Sequence, residues 1–134
     1  MAIHISKGKA AKTNYEYGCD LRRVYPWDDV MDPIYWGAAI ASVRVSESTT
    51  PHSHDEDETF FIMSGNGRID VDGENTPVAA GDVIFLPRGS THTIANENAV
   101  EPLVFLTVFW ASPEAKGALR RALQAEEAGE LADA

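Results

Sequence analysis

An all-β fold, a sandwich or barrel followed by one C-terminal helix, is what this sequence of 134 residues predicts. Three observations carry that prediction. Short apolar or alternating runs recur at intervals of about eight to twelve residues, the spacing of strands in sandwiches and barrels. Turn residues separate them: Asn66-Gly67, Asp72-Gly73, Ala80-Gly81-Asp82 and Pro87-Arg88-Gly89-Ser90. The helix signal comes late, at Ser112-Pro113-Glu114, where an N-cap serine, a proline at the first helical position and an acid in the first turn coincide.

The totals fit one domain with its own core. The chain divides into an arm over 1–14, a barrel over 15–111 and a helix with tail over 112–134. A formal charge of -10 and a pI near 4.7 argue against nucleic acid or an anionic membrane as partner. Cys19 is the single cysteine, so no internal disulfide can form, which favours a reducing cytosol. The first residues lack the apolar stretch of a signal peptide, and no run reaches transmembrane length. A cytoplasmic protein is expected.

Taken in order, residues 1–14 are polar and without period, and His4 reads as a surface histidine. Tyr15 to Trp36 suits short strands and turns, with Leu21 to Tyr25 the best strand and Pro26 and Pro33 as breaks. Its aromatics Tyr25, Trp27, Tyr35 and Trp36 fit a pocket wall, a barrel cap or an oligomer contact. Ala38 to Ser46 alternates, with Ala39, Ala41, Val43 and Val45 on one face. An extended stretch bearing His52 and His54 follows, then Asp55-Glu56-Asp57 as a solvated turn, then a strand over Glu58 to Met63. Asn66-Gly67 and Asp72-Gly73 each predict a tight hairpin turn, flanking a strand from Arg68 to Val71. Val83 to Leu86 and Thr91 to Ala95 are further strands. Leu103 to Trp110 is almost wholly apolar, as in a strand buried on both sides. Ala115 to Ala128 suits a helix with Leu119, Ala122 and Leu123 as its apolar stripe.

The chemistry concentrates at His52-Ser53-His54 and Glu58. On an extended chain alternate side chains share a face, so His52 and His54 point together. Imidazoles converging with a carboxylate suit a divalent ion of borderline softness. The next useful histidine, His92, lies forty residues downstream. Around these, alternation carries Phe60 and Ile62 inward after Glu58, as apolar wall of a substrate pocket. Thr107, the one polar residue of the last strand, either faces inward to bind substrate or a metal-bound water, or faces out. Arg44 either clamps a substrate carboxylate or faces solvent. Cys19 has no neighbours in sequence that would make it a nucleophile.

Two spaced patterns resemble the cupin superfamily, as a small single-domain monocupin. The first, G-x5-H-x-H-x3-E-x6-G, is met by His52, His54, Glu58 and Gly65, with Ser46 where the pattern begins in glycine. The second, G-x5-P-x-G-x2-H-x3-N, is met by Gly81, Pro87, Gly89, His92 and Asn96. The resemblance implies a cupin-type antiparallel β-barrel, a double-sheet jelly roll, holding one divalent metal ion (Zn, Fe(II), Mn or Ni) on His52, His54, Glu58 and His92. It implies an enzyme acting on a small-molecule substrate, either with oxygen or by redox-neutral rearrangement, isomerase or lyase chemistry. Glu58 serves there as ligand and, if it detaches, as a catalytic group. Three imidazoles and one carboxylate leave coordination positions open, the mark of a catalytic site. A homodimer through the sheets is also implied. The stretch His52 to Phe60 and the ending Leu103 to Trp110 further resemble zinc cupins that form N–N bonds beside a methionyl-tRNA-synthetase-like partner enzyme. Two other functions stand beside the enzymatic one: a sensor or storage protein that binds metal and ligand without turnover, and a purely structural module.

Overall fold

Nine strands in two antiparallel sheets make up the computed structural model, which describes residues 3–111 together with Gln124 and Ala125. The six-stranded sheet runs β1-β2-β3-β9-β4-β7, and the three-stranded sheet runs β6-β5-β8. Their spans are β1 Asn14–Glu16, β2 Cys19–Tyr25, β3 Trp36–Val43, β4 Glu56–Ser64, β5 Asn66–Val71, β6 Glu74–Ala79, β7 Val83–Leu86, β8 His92–Ala95 and β9 Leu103–Ala111. Of the helix expected over 115–128 only Gln124 and Ala125 are described, both helical; the rest lies outside the described residues.

The core lies between the sheets. Ala41, Val43, Phe60, Ile62 and Phe105 come from the larger one, Ile69, Val78 and Ile94 from the smaller. Burial of each large side chain here contributes about 1.5–3 kcal/mol. Alternation decides which side chains enter. On β4, Glu58, Phe60 and Ile62 are buried while Phe61 and Met63 face out. On β9, Leu103, Phe105 and Thr107 are buried and Val104, Leu106 and Val108 are partly covered. The two-sided burial expected for this strand is therefore full on one face only.

Several boundaries differ from expectation for identifiable reasons. Asn66-Gly67 forms no hairpin turn, because β4 and β5 belong to different sheets. The chain crosses over at Gly65 (φ 84°), where a Cβ would stand 2.6 Å from the Pro102 carbonyl oxygen. Asp72-Gly73 does form the tight turn, with both residues at positive φ joining β5 to β6. β6 itself carries Pro77, tolerated because the strand is an edge. β3 ends at Val43, and Val45 is exposed, because Ser46 turns the chain with φ 61°. That left-handed conformation explains why the family pattern has glycine at this position. The turn expected over Asp55-Glu56-Asp57 is shorter than predicted, since β4 already begins at Glu56.

After Ser46 the chain runs antiparallel to β8. Backbone hydrogen bonds link Thr49 N–H to the Ile94 carbonyl and Asn96 N–H to the Glu47 carbonyl, and His52 forms a bridge with His92. Buried Asn96 fastens the far end: its amide donates to the carbonyls of Val43 and Glu101, and its Oδ1 accepts from Asn98 N–H. All its bonds are internal, which makes it a structural residue of the second pattern.

Candidate metal centre

His52, His54, Glu58 and His92 arrive from three places. His92 opens β8 and hydrogen-bonds, backbone to backbone, with His52 at 3.0 and 3.3 Å. His54 lies two residues on, and its carbonyl accepts from Gly89 N–H at 2.9 Å. A glycine of the second pattern thus holds a histidine of the first, and Gly89 does so at φ 79°. Glu58 reaches in from β4, opposite Phe109 on β9 and Leu86 on β7. One ligand atom from each of the four lies within 4.8 Å of all the others.

The donor chemistry fits a divalent cation. His52 Nδ1–H donates to the Thr50 carbonyl at 2.8 Å, which leaves the Nε2 lone pair for the site. Among the described residues, the only buried side-chain nitrogens or oxygens without a hydrogen bond are His54 Nδ1, His92 Nδ1 and His92 Nε2. Buried polar atoms are seldom left unpaired, and a bound ion is one of the few partners available here. At metal–nitrogen distances of about 2.1 Å, two ligands of one ion stand at most about 4.2 Å apart, so a contraction of several tenths of an ångström would close the cluster.

Glu58 is the electrostatic centre. His54 Nε2 donates to its Oε1 at 3.0 Å, and the Thr107 hydroxyl donates to its Oε2. His92 Nε2 approaches Oε1 at 3.2 Å without hydrogen-bond alignment, an electrostatic contact. Burial pushes the Glu58 carboxyl up, but His92 and Thr107 beside it, then the charges of His92 and His54, outweigh burial and hold it below its ordinary range. The carboxylate is therefore ready to ligate.

Of the other residues singled out in the sequence, Phe60 packs 5.9 Å from the His92 ring and 4.3 Å from Phe105, behind the site. Ile62 is buried one step further along β4, in the core and not at the cavity. Thr107 faces inward. Arg44 does not face the site: its Nε and Nη2 form a bidentate pair with Asp20 on the exposed surface, over the Tyr15 ring. The carboxylate it clamps is the protein's own. Cys19 is buried, and desolvation first, then Asp20 and Glu16, push its thiol up to about 11, so it is inert.

A cavity of about 570 Å³ opens in front of the cluster, lined by His52, His54, Thr107, Tyr17, Leu21, Arg23, Tyr25, Pro26, Ala39, Ser53, Glu56 and Phe109. A smaller recess of about 70 Å³ continues inward past Phe60, Phe105 and Cys19. Tyr17, Arg23 and Glu56 are lining residues that the sequence reading left aside. Of the three acids expected in a solvated turn only Asp55 lies before the strand, paired with Arg88; Glu56 and Asp57 open β4, and Asp57 accepts from Arg88 N–H. Leu21, Arg23 and Tyr25 alternate along β2, a signal available in the sequence. Tyr17 was hidden because a bulky residue at positive φ (56°) is uncommon; its ring stands 5.6 Å from His52.

Comparison with known proteins agrees with this fold. The protein plu4264 of Photorhabdus luminescens is 32% identical, with a TM-score of 0.71, the match covering 90% of this chain and 96% of that one. A Cupin 2 conserved barrel domain protein from Salinispora arenicola is 27% identical, TM-score 0.75, covering 90% and 99%. An oxalate-binding protein of Thermotoga maritima is 38% identical over 58 residues, 42% of this chain and 47% of that protein. The matches to curated relatives span from 47% to 64% of those proteins' own lengths. The family model for the cupin domain matches residues 39–109, more than half of the chain and inclusive of His52, His54, Glu58 and His92, and the protein belongs to the cupin family.

Proposed function

We propose that the protein is a metal-dependent enzyme that acts on a small metabolite bound in the cavity. One observation carries this: three buried imidazole nitrogens lack partners beside an ionised carboxylate, at the end of an open cavity large enough for a metabolite. A purely structural metal site would be closed off, whereas this cluster opens on the cavity. His52, His54, Glu58 and His92 would hold a divalent ion there, which would supply Lewis-acid activation of a substrate oxygen.

The chain's own residues do the rest. Thr50 fixes the His52 tautomer, and Gly89 fixes the position of His54. Thr107 holds Glu58 on one oxygen so that the other faces the imidazoles. Phe60 and Phe105 form an apolar wall behind the site. The relative named as an oxalate-binding protein supports a small polar ligand in such a barrel.

Two chemistries are open to this donor set, an oxygen-dependent one with Fe(II), Mn or Ni and a redox-neutral one with Zn. Elemental analysis of the full chain purified without added metal, followed by oxygen uptake in the presence of candidate substrates, separates them. Turnover under nitrogen by a zinc form would rule out the oxygenase. Tight ligand binding with no turnover by any metal form would replace the enzyme with a sensor or storage protein.

A homodimer is proposed as well. Phe61, Met63, Val83 and Phe85 are exposed on the outer face of β4 and β7, and Phe85 stacks on Trp110 of β9. A continuous apolar face of this kind suits a second copy.

A further inference from the structure

Arg23 is the only lysine or arginine among the described residues that line the cavity. We propose that Arg23 binds substrate and that the substrate class is a small organic acid. Its carboxylate meets the Arg23 guanidinium, its body lies along Leu21, Tyr25 and Phe109, and its other polar end meets the metal cluster. This rests on the metal-enzyme reading and names the substrate class for the same site.

Strand alternation puts Arg23 there. Its neighbour Arg22 points the other way, and Arg22 Nη2 donates to the carbonyl and hydroxyl oxygens of Ser6. Arg23 stands opposite Ala39 on β3, and the register of β2 slips between Arg23 and Tyr25. Bulges of this sort commonly re-aim side chains beside functional sites. The small side chain of Ala39 leaves the arginine room over the cavity wall.

The guanidinium is only partly used. Among the described residues its one partner is Glu16, contacted through Nη1 alone, and the side chain is 50% exposed. Arg44, by contrast, spends Nε and Nη2 on Asp20 in the two-pronged geometry that arginine favours. Arg23 therefore keeps its fork available to a second carboxylate. Glu16, on the adjoining strand β1, holds the charge in the meantime. In a protein of formal charge -10, with Glu56 also on the cavity wall, an anion needs a local cation to enter.

The test is calorimetric titration of the zinc-loaded full chain with acetate, succinate and 3-phenylpropionate, each beside its neutral amide. At least one acid should bind more tightly than its amide. Arg23→Gln should weaken that acid about tenfold to a hundredfold, the effect of losing a hydrogen bond to a charged group, and leave its amide unchanged. Glu16→Gln, which releases Arg23 from its internal partner, should tighten acid binding severalfold; a merely structural ion pair would lower the Tm and leave affinity alone. Acids bound no better than amides, or an Arg23→Gln variant with unchanged acid affinity, would overturn the proposal. Zinc affinity is measured first: failure there would sink the metal reading, and the same titration of zinc-free protein would still decide the role of Arg23.

Discussion

Replacing Thr107 with valine keeps the shape of the side chain and removes the hydroxyl that donates to Glu58 Oε2. Both residues are buried, Thr107 to 6% exposure and Glu58 to the same value, so bulk water is a poor substitute for the lost donor. A hydrogen bond to a charged group contributes about 1.5–3 kcal/mol. For a chain of this size that corresponds to a Tm lowered by about 5–15 °C. The acid limb should move too. Glu58 has a depressed folded pKa, so its contribution is complete above the unfolded value of 4.5 and is lost as pH falls through the folded one. Thr107 is one of the groups that lower it, so in Thr107→Val the carboxyl rises and stability is lost at a higher pH. Thermal melts of metal-free protein between pH 3 and 7 measure both effects. Thr59→Val is the control, because the Thr59 hydroxyl donates to the Ile84 carbonyl on the opposite face of β4 from the Glu58 side chain, and should leave the acid limb in place. A Thr107→Val melt within about 2 °C of wild type, with an unmoved acid limb, would refute the role given to this hydroxyl.

Gly89→Ala meets no atom within 4 Å, so its cost is the left-handed backbone alone, about 1–2 kcal/mol; because Gly89 N–H holds the His54 carbonyl, zinc affinity should fall as well, and a loss of stability with unchanged zinc affinity would separate the two. Ser46→Gly should raise stability by up to about 1 kcal/mol in denaturant titration, since Ser46 sits at φ 61°; a destabilised variant would contradict the strain. Phe85→Glu should convert a dimer to a monomer in light scattering with the melt little changed, and a wild-type monomer would dispose of the dimer.

The cluster of His52, His54, Glu58 and His92 was legible in the sequence because its spacing survives without knowledge of register: these are positions on a line. The sheets were legible where alternation was clean, as in β3 and β4. What could not be read depends on which sheet a strand joins. Asn66-Gly67 looked like a hairpin turn, and only the crossover at Gly65, where a side chain would meet Pro102, shows that the flanking strands part company. The two arginines illustrate the same limit. Arg44 lies within the alternating run Ala38–Ser46, yet β3 stops one residue before it and Asp20 captures it. Arg23 shares a face of β2 with Leu21 and Tyr25, but that this face lines the cavity depends on how β2 pairs with β3. Glu56 was hidden among acids, because composition alone cannot say where a turn ends and a strand begins.

The central claim is that His52, His54, Glu58 and His92 hold one catalytic divalent ion. Its most direct test is metal content per chain, measured on the full-length protein purified without added metal, beside His92→Ala and Glu58→Gln. About one equivalent of a single divalent metal in the wild type, with markedly less in both variants, is the predicted result. A metal-free wild type that neither takes up zinc, iron, manganese or nickel nor gains thermal stability from any of them would contradict it.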